Sequence, residues 1–137
     1  MVIALIGATG LVGKEMLNIL EEKNLPFSEI IPVASEKSIG KKINYANKKY
    51  FVVSIDNAFD KKPNYVLFSA GSNISLKWAP KFAEIGSTVI DNSSAWRMDN
   101  SKKLIIPEIN GHVLNKEDRI ISNPNCSTIQ MLMVINP

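Results

Sequence analysis

A continuous apolar run, Val2 to Ile6, breaks into Gly7-Ala8-Thr9-Gly10-Leu11-Val12-Gly13 and then into a helix-forming stretch, Lys14 to Glu22. No other stretch narrows the possible folds so far. An unbroken apolar pentapeptide suits a strand buried on both faces of a parallel sheet. Leu11, Val12, Met16, Ile19 and Leu20 recur at helical spacing and are expected to form one buried face. Strand, glycine turn and helix follow in the order of a dinucleotide-binding unit. Gly7 permits the sharp turn, Gly10 lets backbone approach a pyrophosphate, and Gly13 lets the helix pack close to the strand. The N–H groups of Thr9 to Val12 are placed to hold the diphosphate at the helix N-terminus. The spacing is G-x-x-G-x-x-G rather than G-x-G-x-x-G, so the strand and helix around it give the motif its weight.

Apolar and helical segments alternate through the rest of the chain. Asn24-Leu25-Pro26 ends the first helix, and Glu29 to Ala34 is a second strand. Ser35-Glu36-Lys37-Ser38 follows, where an adenine ribose would be read. An acidic residue there bonds the ribose 2′-OH of NAD, and a basic one accepts the 2′-phosphate of NADP. Both types are present, and Ser35, Lys37 and Ser38 suit a phosphate, so NADP is the expected cofactor. Gly40 to Ile43 and Tyr50 to Ile55 are expected as strands around a turn at 44–49. Tyr65 to Phe68 is a buried strand ending at Ser69-Ala70-Gly71-Ser72, the kind of loop where open α/β sheets bind ligands. Ile74 to Ile85 is expected as a helix with Leu76, Ala79, Phe82 and Ala83 inward and Pro80 early or kinking it. Thr88 to Asp91 is a strand with Asn92 to Arg97 beyond its end. Leu104 to Asn110 is a further apolar run, joined by Gly111 to Asp118 to Ile120-Ile121. This alternation predicts an α/β, Rossmann-type, doubly wound and mostly parallel sheet with helices on both faces.

The only cysteine lies in Ile120-Ile121-Ser122-Asn123-Pro124-Asn125-Cys126-Ser127-Thr128, a short strand, a polar turn and the opening of an apolar helix. Ser127 and Thr128 are expected to cap that helix. A thiol at such a junction faces unpaired backbone N–H groups and the positive end of a helix dipole, and both favour the thiolate. The same amides, with the Asn125 side chain, suit an oxyanion beside the sulfur. A lone cysteine is more often a small buried hydrophobe than a nucleophile. A core cysteine, however, has no use for a polar strand-to-helix turn.

Composition matters chiefly for what it excludes. One cysteine rules out an internal disulfide framework and fits a reducing cytoplasm. The net charge of +3 comes from scattered lysines without interleaved aromatics, so no nucleic-acid face is indicated. Val2 to Ile6 lacks a basic lead-in and stops at Gly7, which argues against a signal peptide or membrane span. No metal is expected.

Six segments together resemble the aspartate-β-semialdehyde dehydrogenase family: GATGLVG at 7–13, ASEKSIGK at 34–41, FSAG at 68–71, DNSSAWRM at 91–98, PEIN at 107–110 and NPNCSTIQM at 123–131. They run in the family's order across nearly the whole chain, and NPNCST is the specific one. The resemblance implies NADP-dependent, reversible reduction of L-4-aspartyl phosphate to L-aspartate 4-semialdehyde, on the route to lysine, threonine and methionine. It makes Cys126 the acyl-thioester nucleophile, with Asn125 beside the reacting carbonyl. Gly7, Thr9, Gly10, Leu11, Val12 and Gly13 would bind the NADP phosphates, Ser35, Lys37 and Ser38 its adenosine end, and Ala70 and Gly71 the cofactor crevice. Arg97 and Asn92 would meet the phosphate of the substrate. Residues 1–125 would form the NADP-binding domain and 126–137 the start of a catalytic and dimerisation domain, in a homodimer or homotetramer when full length. Two positions depart from the pattern: Lys37 where arginine is frequent, and Ser72 where a second glycine is frequent. The family's general-base histidine, its substrate-orienting glutamine and its carboxylate-binding arginine would lie beyond residue 137. His112, the one histidine here, reads as a solvated linker residue. The chain alone is therefore expected to bind cofactor weakly and not to turn over. N-acetyl-γ-glutamyl-phosphate reductases share the glycine loop but have a different cysteine neighbourhood. A non-catalytic dinucleotide-binding module would have no reason to keep NPNCST.

Overall fold

The computed structural model describes residues 1–136; Pro137, the last residue of the expected 126–137 segment, lies outside them. Six strands form one sheet: β1 (Val2–Ile6), β2 (Glu29–Val33), β5 (Tyr65–Phe68), β6 (Thr88–Asp91), β7 (Lys103–Leu104) and β8 (Ile120–Ser122). Their order is β2-β1-β5-β6-β8-β7, and every pairing is parallel. The chain winds outward from β1 to β2, then returns to place β5 on the other side of β1. The switch point therefore lies between β1 and β5, and the carboxyl ends of all six strands share one edge.

The pleat sends alternate residues of β1 to different layers. Ala4 and Ile6 join a core with Phe68, Val89, Trp78 and Phe82, under α2 (Ile55–Asp60) and α3 (Ser72–Glu84). Leu5 joins a second core with Leu17, Leu20 and Tyr45, under α1 (Leu11–Glu22) and a separate hairpin, β3 (Lys42–Tyr45) and β4 (Lys48–Phe51). Layers on both faces match the expected doubly wound sheet. Pro32 sits in edge strand β2, where its missing N–H leaves no ladder bond unmade, and its carbonyl accepts from Val53 N–H at 3.0 Å.

Several local expectations need correcting. The buried stripe of α1 is Gly13, Leu17 and Leu20, whereas Leu11, Val12 and Ile19 are exposed. Close packing of Gly13 on the glycine turn fixes the phase of the helix, and the apolar count did not include that glycine. Ser54 and Ile55 are not strand residues. Ser54 Oγ accepts from Asn57 N–H at 3.2 Å and caps α2, a helix that the apolar run 50–55 concealed. In α3 the inward residues are Ser75, Trp78, Ala79 and Phe82, and Leu76 is exposed. Pro80 is accommodated within α3. Pro107 opens a short helix, α4 (Pro107–Asn110), rather than continuing the apolar run as strand. The last helix, α5 (Cys126–Ile135), is capped by Asn125, whose Oδ1 accepts from Ser127 N–H at 2.9 Å; the Ser127 and Thr128 hydroxyls are not its caps. No helix of the described residues is long and apolar enough to cross a membrane.

Candidate active site

Four loops at the carboxyl edge carry the expected site residues: 7–10 after β1, 34–41 after β2, 69–71 after β5 and 92–97 after β6, with 123–126 beyond β8. Gly7 has φ +93°, and a Cβ added to it would stand 2.4 Å from Ser69 O. That clearance brings the β1 and β5 loops together at the switch point. Gly10 N–H is spent within the turn on Gly7 O at 3.0 Å. The Gly10 N–H therefore leaves the expected Thr9-to-Val12 set, while the Thr9, Leu11 and Val12 N–H groups, and that of Gly13, remain as donors at the start of α1.

The helix ends differ in a telling way. Asn125 caps α5 and Ser54 caps α2 with their own side chains. Gly10 and Gly71 lead α1 and α3 with no side-chain cap and no acidic residue in the first turn. Two unsatisfied, positively polarised helix ends thus flank the switch point, an arrangement that suits a bound diphosphate. A groove of about 440 Å³ opens beside them, lined by Gly7, Thr9, Gly10, Ser35, Glu36, Ser54, Asp56, Ser69, Ala70 and Ile74 among others. Of the expected adenosine-end residues, Ser35 lines this groove, Lys37 is exposed and lines no part of it, and Ser38 is buried at 7% exposure. Glu36, the acidic residue weighed for a ribose hydroxyl, also lines it, and Asp56 lines it without having been expected to. The missed helix α2 carries Asp56, which is why the sequence concealed it.

The loop after β6 is built around a buried carboxylate. Asp91 is fully buried; its Oδ2 accepts from Ser75 Oγ and Ser93 Oγ, both at 2.7 Å, and its Oδ1 from Ser93 N–H at 2.8 Å. Trp96 Nε1 donates to Ser75 Oγ at 2.8 Å, and Ala95 N–H to Ser93 Oγ at 3.2 Å. Each hydroxyl accepts from one group and must give its proton to Asp91. Asp91→Asn would offer an amide NH2 to one side of that set, leaving a buried donor without an acceptor. We expect it to destabilise the domain by about 2 kcal/mol, read from the urea midpoint at constant m-value; an unchanged midpoint would contradict the network.

Arg97 follows this network in the chain and is held by two backbone carbonyls. Its Nε donates to Asn123 O and its Nη2 to Asn92 O, each at 3.0 Å, while Asn123 Nδ2 donates to Asn92 Oδ1 at 2.7 Å. Arg97 and Asn92 thus pin the β6 loop to the 123–125 turn, and three guanidinium N–H groups are left for an anion. Ser72 Oγ and Ser94 Oγ lie 3.0 Å apart, a tie that glycine at position 72 could not make.

Cys126 is exposed in the first turn of α5, with Sγ 4.0 Å from Asn125 Oδ1. Three strand spacings separate β1 from β8, roughly 14 Å across the sheet edge. The sulfur and the glycine turn therefore share one edge without touching, and the 92–97 loop lies between them. His112 is exposed in a short 3₁₀ turn, as expected of a linker residue.

Comparison with known proteins agrees with this geometry. The family model described as semialdehyde dehydrogenase, NAD binding domain, matches residues 2–117. Aspartate-semialdehyde dehydrogenases from Aquifex aeolicus and Campylobacter jejuni are 48% and 44% identical over 98% of this chain, covering 41% and 40% of those relatives. The crystal structure of aspartate semialdehyde dehydrogenase II from Vibrio cholerae, complexed with ASA, superposes with a TM-score of 0.94 at 43% identity, over 99% of this chain and 45% of that one. The chain thus spans about two-fifths of the length of the curated relatives it matches. On a match covering most of its residues, and on a fold and glycine turn of the kind such a match requires, the chain belongs to the semialdehyde dehydrogenase NAD-binding domain family.

Proposed function

We propose that this chain is the dinucleotide-binding portion of an NADP-dependent aspartate-semialdehyde dehydrogenase and that it carries the enzyme's nucleophile, Cys126. The observation that carries the reading is one sheet edge bearing two glycine-led, uncapped helix ends at the switch point and an exposed cysteine opening a third helix. The names of the Aquifex and Campylobacter relatives, and the ASA complex of the Vibrio enzyme, favour an aspartyl over an N-acetyl-glutamyl substrate.

In the reductive direction the Cys126 sulfur attacks the acyl carbon of aspartyl phosphate. The S–C bond forms, the C–O bond to phosphorus breaks, and inorganic phosphate leaves. Arg97, with its remaining N–H groups, and Asn92 receive that phosphate. When bound, NADPH supplies the hydride that reduces the thioester. The oxyanion then formed at the acyl carbon is met by the Cys126 and Thr128 N–H groups and the Asn125 amide, since the Ser127 N–H is taken by the cap. Collapse of that oxyanion breaks the S–C bond and releases the aldehyde. A downstream group of the full-length protein would serve as general base.

The domain boundary is placed at Cys126. In support, α5 buries no residue, and its Met131, Met133, Val134 and Ile135 are all exposed. Full-length homodimers or homotetramers would cover such a surface. A free catalytic thiol belongs in a reducing, cytoplasmic setting. Rapid-quench measurement on the full-length protein tests the reading. Aspartyl phosphate without NADPH should release about one phosphate per subunit in a burst, the signature of acyl-enzyme accumulation; phosphate release that stays linear from zero time would refute it.

A further inference from the structure

Asn123, to which the sequence gives no role beyond the turn, bonds to both groups that would receive the phosphate. Asp91 pairs with Ser122 across β6 and β8, so Asn92 and Asn123 are the first residues past the ends of two adjacent parallel strands. The Asn123 N–H carries the ladder one step further by donating to Asp91 O at 2.8 Å. Pro124, which is buried, disfavours helical backbone at Asn123 and keeps that step extended. From this fixed point Asn123 makes two contacts. Its carbonyl accepts from Arg97 Nε at 3.0 Å, and its Nδ2 donates to Asn92 Oδ1 at 2.7 Å. The second contact decides which end of the Asn92 amide is left for a ligand. An amide has an oxygen that only accepts and an NH2 that only donates. With Oδ1 taken by Asn123, the NH2 is the end that remains, and among the described residues nothing accepts from it. A phosphate presents acceptor oxygens, so it needs that NH2 and is repelled by an amide oxygen. We propose that Asn123 is a positioning residue for the phosphate site: by donating to Asn92 Oδ1 it presents the Asn92 NH2 to the phosphate, beside the N–H groups that Arg97 has left. The proposal rests on the reading above, in which Arg97 and Asn92 receive the phosphate.

Replacing the Asn123 side chain leaves its carbonyl, and so the Arg97 contact, in place, and frees the Asn92 amide to turn. In the oxidative direction inorganic phosphate is a substrate in its own right, so its KM reads the site directly. The full-length protein is assayed for NADP⁺ reduction with aspartate semialdehyde at varied phosphate. Asn123→Leu should raise KM for phosphate by about tenfold, the scale of one hydrogen bond, and KM for the semialdehyde by less than about twofold. Asn92→Ala should raise KM for phosphate by about thirtyfold, because it removes the donor itself from a charged partner. Asn123 acts through Asn92, so adding Asn123→Leu to Asn92→Ala should change that KM by less than about twofold, where independent sites would multiply their losses. Equal rises of both KM values, multiplied losses in the double variant, or no effect of Asn123→Leu would overturn the positioning role. If Asn123→Leu does not fold, Asn123→Ala, which removes the same donor with fewer atoms, is held to the same criteria. NADP⁺ reduction by the unmodified protein that needs no phosphate would instead overturn the reading of Arg97 and Asn92 as phosphate ligands, and the proposal with it.

Discussion

Cys126→Ser is expected to lower kcat/KM of the full-length protein by at least about a thousandfold while leaving folding and dinucleotide binding unchanged. The proposed chemistry asks the residue to be both attacking group and leaving group at one acyl carbon. Sulfur is large and polarisable, forms the acyl bond readily, and yields a thioester whose carbonyl accepts hydride far better than an oxygen ester does. A serine hydroxyl in the same place attacks poorly, and any ester it forms resists reduction. The structural cost of the change is small, because Cys126 is exposed and the cap of α5 belongs to Asn125. Surface changes of this kind stay within about 0.5 kcal/mol. The decisive measurement is NADPH oxidation on aspartyl phosphate beside a thermal melt of the same sample. Full activity with Cys126→Ser would remove the nucleophile from the mechanism. Lost activity with a collapsed melt would be read as unfolding, and Cys126→Ala would then be compared at lower temperature.

The sequence made the sheet legible because its central strands are built on short apolar runs that end in polar loops. Strands β1, β5, β6 and β8 therefore stood out, and so did the residues at their carboxyl ends: Gly7, Ala70, Asn92 and Asn125-Cys126. Surface elements were harder. Helix α2 is six residues long and begins inside what looks like a strand; only Ser54, a hydroxyl three residues before Asn57, marks its start. The phase of α1 was misread for a related reason. Counting apolar residues gives Leu11 and Val12 the same weight as Leu17, but Gly13 is what touches the strand turn, and a contact made by the absence of a side chain leaves no apolar signal. In the loop after β2, the polar run Ser35 to Ser38 was legible but the exposure of its individual side chains was not. A 3₁₀ turn at Glu36–Ser38 leaves Glu36 lining the groove and Lys37 exposed outside its lining, and buries Ser38, and no residue-by-residue pattern encodes that choice. The Asp91 network is the reverse case: DNSSAW contains most of its members, yet Ser75 joins from another helix and becomes visible only in three dimensions.

Gly7→Ala is expected to destabilise the domain by about 4 kcal/mol, the sum of about 1–2 for a left-handed backbone and about 3 for overpacking. At φ +93° any Cβ is disfavoured, and here it would also stand 2.4 Å from Ser69 O and 2.8 Å from Ser69 C. Those atoms are backbone held in the sheet by Ser69 N–H to Ile6 O at 2.8 Å, so no side-chain rotation relieves the contact. Gly13→Ala meets the same obstacle from the helix side, with a Cβ 2.2 Å from Gly7 O. Alanine's helix propensity recovers only about 1 kcal/mol there, less than the overpacking cost. Gly71→Ala is the control. It has no heavy atom within 4 Å of the added Cβ and needs no positive φ, so its change should be under about 1 kcal/mol, the scale of replacing a helix N-cap. Urea unfolding of the three variants checks the order. If Gly7→Ala unfolds at the midpoint of the unmodified chain, the close approach of the β1 and β5 loops is wrong, and with it the switch-point geometry on which the dinucleotide groove depends.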